Sequence, residues 1–162
     1  MGITVSNKTL ESINGFNTLI ANFAILFFDM YKSGGFTNNI KPLMSKMKFE
    51  TDEIKALNIL YYSYDQLLES SDQYTLNKVV YEYTGKINDL ILFLNSIGLQ
   101  SVSQKIKNTK KLVVPLTGDE IMSHFNIKPG KQIGEFLKKA REMVFANPNT
   151  SKEDIFNNLE DN

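Results

Sequence analysis

Lys128, Lys131 and Lys138 crowd the start of one expected helix, with Gly118, Gly130 and Gly134 spaced around them. Residues 115–134 read "PLTGDEIMSHFNIKPGKQIG", an order that places glycine and lysine together on both sides of a Pro-Gly pair. Backbone N–H groups at a helix start have no intrahelical acceptor, glycine lets a ligand come close to them, and lysine adds positive charge. The chemistry this permits is electrostatic capture of an anion such as a phosphate. Lys131 and Lys138 stand seven residues apart, which puts them on one helical face, and Lys128 reaches in from the turn. The competing reading is a well-capped structural corner in which Pro129-Gly130 only turns the chain.

Other chemistries find little to work with. Cysteine is absent, which excludes disulfides, thiolate metal ligands and a cysteine nucleophile. The single histidine, His124, has no second His or Cys with which to hold a metal and reads as a surface or corner residue. Neither Gly130 nor Gly134 is followed by the Gly-Lys-Ser/Thr ending of a Walker loop. Carboxylates are scattered without a paired-aspartate site, and Asp119-Glu120 are accounted for as a helix start. The expectation is therefore no catalytic residue, no metal and no cofactor, and a chain inactive as an enzyme alone. Tyr61, Tyr62, Tyr64, Tyr81 and Tyr83 lie at helical spacing and read as packing rather than base stacking.

The elements that must position the lysines are helical. Leu10, Ile13, Ile20, Phe23, Phe27 and Met30 recur at helical intervals, and Gly34-Gly35 ends that segment. Thr51 can cap a helix striped by Ile54, Leu57, Tyr61, Tyr64 and Leu68. Leu76, Val79, Val80 and Tyr83 predict a short helix closed by Gly85; Ile87, Leu90, Ile91, Leu94 and Ile97 predict another stopped by Gly98. Segment 99–112 is a weaker, lysine-rich helix carrying Val102 and Ile106. Thr117 and Glu120 form a capping box before Ile121, Met122 and Phe125, and Pro129-Gly130 separates that helix from one lined by Ile133, Leu137, Ala140 and Val144. After Pro148, Thr150 and Glu153 suggest a second capping box for Ile155, Phe156 and Leu159. No alternating stretch is long enough for a strand. The class is all-α, with a helical-bundle body over 1–112 and a smaller basic helical unit with a Pro-Gly hairpin over 113–162.

Formal net charge is zero, but its distribution is uneven. Residues 1–100 carry eight lysines against ten acids, 101–147 carry eight lysines and Arg141 against four acids, and 148–162 carry one lysine against four. The basic block thus contains the glycine-lysine line. The most apolar run, Leu19 to Phe28, is about half a membrane span and reads as a buried helix. The first residues lack a signal-like pattern, and Gly2 with Ser6 meets only the loose myristoylation motif, so a cytoplasmic, membrane-free protein is expected.

Helix, glycine-containing hairpin and lysine-bearing second helix resemble a helix-hairpin-helix nucleic-acid module. The longer line "VVPLTGDEIMSHFNIKPGKQIGEFLKKAREMVF" is similar to the C-terminal region of bacterial CCA-adding tRNA nucleotidyltransferases and the related poly(A) polymerases. Pro115, Leu116, Gly118, Glu120, Ile121, Ile127, Pro129, Gly130, Ile133, Gly134 and Leu137 stand at matching positions, and "NFAILFF" with "MKFETDEIKALNIL" looks like the same family's helical body. The family's catalytic head, with its Gly-Ser motif and paired aspartates, and its nucleotide-selecting neck have no counterpart here. Arg141 is the only arginine, and Lys131 replaces a second turn proline. The resemblance implies a tRNA- or RNA-binding helical fragment, either a partner of a separately encoded nucleotidyltransferase head or the remnant of a split gene, with Gly118, Lys128, Gly130, Lys131, Gly134 and Lys138 on the RNA backbone. The alternative is a helical protein-interaction or DNA-binding module with no tRNA role.

Overall fold

The structure, a computed structural model, describes residues 19–160; Leu10, Ile13 and the Gly2–Ser6 pattern lie outside them. Among the described residues every regular element is helical. The first expected helix is divided in two. α1 (Leu19–Leu26) and α2 (Phe28–Gly35) meet at Phe27, and a π-helical turn, Phe36–Ile40, leads into α3 (Lys41–Lys46). α4 (Thr51–Glu69), α5 (Gln73–Glu82), α6 (Ile87–Ser96) and α7 (Gln100–Asn108) complete the body. The C-terminal unit consists of α8 (Gly118–Phe125), α9 (Lys131–Ala146) and α10 (Lys152–Glu160). None of these helices is long and apolar enough to cross a membrane.

α1 packs on α4 and α6, and α7 folds back on α6. Their apolar faces meet around Phe93, which has no exposed surface and whose ring meets Phe28, Tyr61 and Tyr64 edge-on at 5.4–5.8 Å. Aromatic pairs prefer this geometry, positive edge on negative face. The buried Tyr61 hydroxyl donates to the Ala24 carbonyl at 2.7 Å, so burial leaves it satisfied. A second core gathers Leu116, Ile121, Ala140, Val144, Ile155 and Leu159 between α8, α9 and α10. The two cores meet where α5 lies on α9. There Phe145 is buried under the rings of Tyr74 and Tyr81, and the Asn77 amide donates to the Phe145 carbonyl at 2.9 Å.

Several local expectations shift by one residue, for physical reasons. The cap of α4 is Glu50, not Thr51: its carboxylate and that of Glu53 serve each other's backbone N–H groups. α10 starts from Ser151, whose hydroxyl and N–H bond Asp154, rather than from Thr150 with Glu153. On α4 the buried stripe runs through Leu60 and Leu67, leaving Leu68 more than half exposed. Gly85 is no left-handed cap, because α5 ends at Tyr83 in extended backbone. It is a close-approach residue: a Cβ there would stand 3.0–3.1 Å from the Tyr83 ring. Gly98 does take the left-handed conformation, φ 88°, after α6.

Candidate nucleic-acid interface

The lysine corner is built from the end of α8 and the start of α9. Thr117 and Glu120 make the expected capping box: Thr117 N–H donates to the Glu120 carboxylate at 2.8 Å, and Glu120 N–H to the Thr117 hydroxyl at 3.3 Å. α8 then closes on Asn126, φ 50°, in the left-handed region that asparagine tolerates better than most residues. The chain turns first at Asn126 and bends again at Pro129-Gly130 before entering α9, so the expected bend at that pair is present without a left-handed Gly130. Its φ of 175° is extended backbone open to any residue, and a Cβ would come no nearer than 3.9 Å to the Lys128 carbonyl.

What Gly130 does is leave the start of α9 bare. No side chain caps this helix, and no acid occupies its first turn. Lys128, Pro129, Gly130, Lys131 and Gly134 are all exposed, and a Cβ at Gly134 would meet nothing within 4 Å. Lys138 is exposed one turn farther along, and none of the three lysines forms an ion pair among the described residues. Glu135, also exposed, is the nearest acid along this stretch of α9. Gly118 does not share the bare surface. It is half-buried, with space for a Cβ only 3.4 Å from the Ile133 side chain, so it serves the approach of α8 to α9.

The rest of the unit holds this corner in place. Lys152 of α10 donates to the Glu120 carboxylate, tying the third helix to the cap of the first. His124 bonds Glu160 at 2.6 Å and stacks on Phe156 with ring centres 3.9 Å apart. Among the described residues no group of three or more His, Asp or Glu is placed to hold a metal ion. The Lys152 contact, with the Thr117 N–H and hydroxyl behind it, draws the Glu120 carboxyl down to about 2. A carboxyl held below its unfolded value of about 4.5 stabilises the fold above that value and loses the contribution as pH falls toward 2. Glu120→Gln is thus expected to flatten the pH dependence of urea unfolding across that acid window. Asp72 and Asp154, also lowered by backbone and hydroxyl donors, titrate in both proteins and cancel in the comparison. Curves of equal slope would show that the contact contributes nothing.

One set of lysines was not legible as a cluster. Lys105 and Lys110 line a cleft of about 600 Å³ beside Asp72 and Asn77, whereas Lys107 and Lys111 line another on the far side of the same segment. Two residues apart on a helix is a half-turn, so Lys105 and Lys107 diverge; the helix ends at Thr109 in extended backbone, and Lys110 and Lys111 line different clefts as well. The only signal in the sequence is the density of lysine across 105–111. Lys105 is already engaged, with its ammonium 3.2 Å from both the Ser71 carbonyl and hydroxyl. No family model matches the chain, and no curated protein or solved structure matches it significantly.

Proposed function

We propose that the chain is an RNA-binding helical protein that grips the backbone of tRNA or another structured RNA at the start of α9. Nucleotide addition, in this reading, is supplied by a separately encoded nucleotidyltransferase head, as the resemblance to CCA-adding and poly(A)-adding enzymes implies. The observation that carries the reading is the bare, uncapped start of α9 beside three exposed lysines that have no ion-pair partner among the described residues. A phosphate there accepts from unpaired backbone N–H groups, gains from the helix dipole and releases its counterions. Such contacts position an RNA without reading its bases.

Lys131→Ala is expected to reduce the slope of log affinity against log salt by about 0.7–0.9, one phosphate contact, and Lys131→Glu to weaken binding on every RNA sequence alike. Gly134→Ala separates a binding surface from a corner. In a helix with open space around the new methyl, alanine should raise stability by about 0.5–1 kcal/mol. The same methyl crowds an approaching backbone, so RNA affinity should fall while stability rises. Titrations of tRNA and of a matched duplex DNA at two salt concentrations, with parallel urea unfolding, make the comparison. Unchanged affinity and slope in the lysine variants would reduce the site to a structural corner, and equal behaviour on duplex DNA would favour a DNA-binding module.

A further inference from the structure

A cavity of about 420 Å³ opens between α5, α6 and the exit of α7, away from the lysine corner of α9. Its walls are largely apolar: Val80, Tyr83, Ile87, Ile91 and Ile106 line it, and Val80, Tyr83 and Ile106 are buried. Its rim carries Lys107 and Lys111, both exposed and neither in an ion pair among the described residues. Among the described residues no acidic side chain lines it. The ten-residue helix α6 begins at this rim, with Ile87 and Asn88 lining the cavity and no side chain capping its start at Lys86. Asp89, the acid in the first turn of α6, is buried and does not line the cavity.

Each feature constrains the occupant differently. Two cations without ion-pair partners among the described residues favour a negative head group; the start of α6 adds little, because Asp89 already places an acid in its first turn. Apolar walls favour a hydrocarbon body, and the volume suits one small molecule rather than a macromolecular strand. An RNA backbone would use the rim and leave the floor wet. A protein helix would need a longer apolar groove.

We propose that this cavity binds a small amphiphilic anion, its hydrocarbon body on Val80, Ile87, Ile91 and Ile106 and its single anionic head between Lys107 and Lys111. The inference stands apart from RNA binding, since it uses neither the helix nor the lysines of that site. Octanoate supplies both halves of such a ligand, acetate only the head and 1-octanol only the body, so calorimetric or NMR titration of the full chain with all three tests it. Octanoate should bind at least about tenfold more tightly than either partial probe, tenfold corresponding to about 1.4 kcal/mol. Lys107→Ala with Lys111→Ala should cost octanoate about tenfold and leave octanol unchanged. Both residues are exposed, so that variant should fold; Lys105→Ala with Lys110→Ala, across the segment, should leave octanoate affinity as it was. The proposal is overturned if octanoate binds no better than octanol or acetate, or if the two lysine pairs behave alike.

Discussion

Truncating Phe93 to alanine is expected to lower the free energy of unfolding by about 3–5 kcal/mol, the range for a large aromatic removed from a close-packed core. The ring has no exposed surface and joins three helices at once, through Phe28 of α2, Tyr61 and Tyr64 of α4, and its own α6. Those partners are themselves constrained: Tyr31 stacks on Tyr61 at 4.0 Å, and its hydroxyl donates to Asp65. Neighbours held this way collapse poorly into a cavity, so the loss should lie toward the upper end of the range. Phe93→Leu, which keeps most of the volume, should cost less than half as much. Urea unfolding followed by far-ultraviolet dichroism measures both. A loss below about 1 kcal/mol for the alanine variant would show that Phe93 does not anchor the body.

Phe145→Ala should be nearly as costly in free energy, about 3–5 kcal/mol, but with a different signature. Phe145 is 1% exposed and sits between the two cores, against the rings of Tyr74 and Tyr81 on α5. Its carbonyl is held by Asn77, whose own oxygen accepts from Gln73, so the seam is a satisfied polar contact sealed by aromatic surface. Tyr74 also donates its hydroxyl to Glu142 of α9. Removing the Phe145 ring takes a large, fully buried apolar surface out of that seam. The body and the C-terminal unit should then unfold less cooperatively, which appears as a smaller denaturant slope or as two transitions. Hydrogen exchange would place the early opening in α8–α10. A variant that loses stability with an unchanged single transition would mean that the units remain coupled through other contacts.

The sequence by itself determined what depends on neighbours along the chain. Helical spacing, the Thr117–Glu120 capping box, the stop at Gly98 and the all-α class rest on hydrogen bonds and side-chain periods reaching no more than about one turn. The same locality explains the one-residue errors. Glu50 and Thr51, like Thr150 and Ser151, each offer an acceptor in front of suitable partners, and only the entry path of the chain selects between them.

Tertiary structure decided everything that depends on which face meets which. Leu68 fits the helical stripe as well as Leu67 does, yet α4 turns Leu67 inward and leaves Leu68 to solvent. Phe23 and Phe27 look equivalent in the sequence, but only Phe27 is fully buried. Gly118, Gly130 and Gly134 read alike as points of close approach. Folding sets Gly118 against Ile133, leaves Gly130 and Gly134 bare, and adds a left-handed turn at Asn126. Lys107 and Lys111 read as part of one basic run, and only the exit of α7 sends them together to an apolar cavity. A residue's type and spacing set what it could do; burial and the opposing surface, which arise from contacts far apart in the chain, set which of those possibilities is realised.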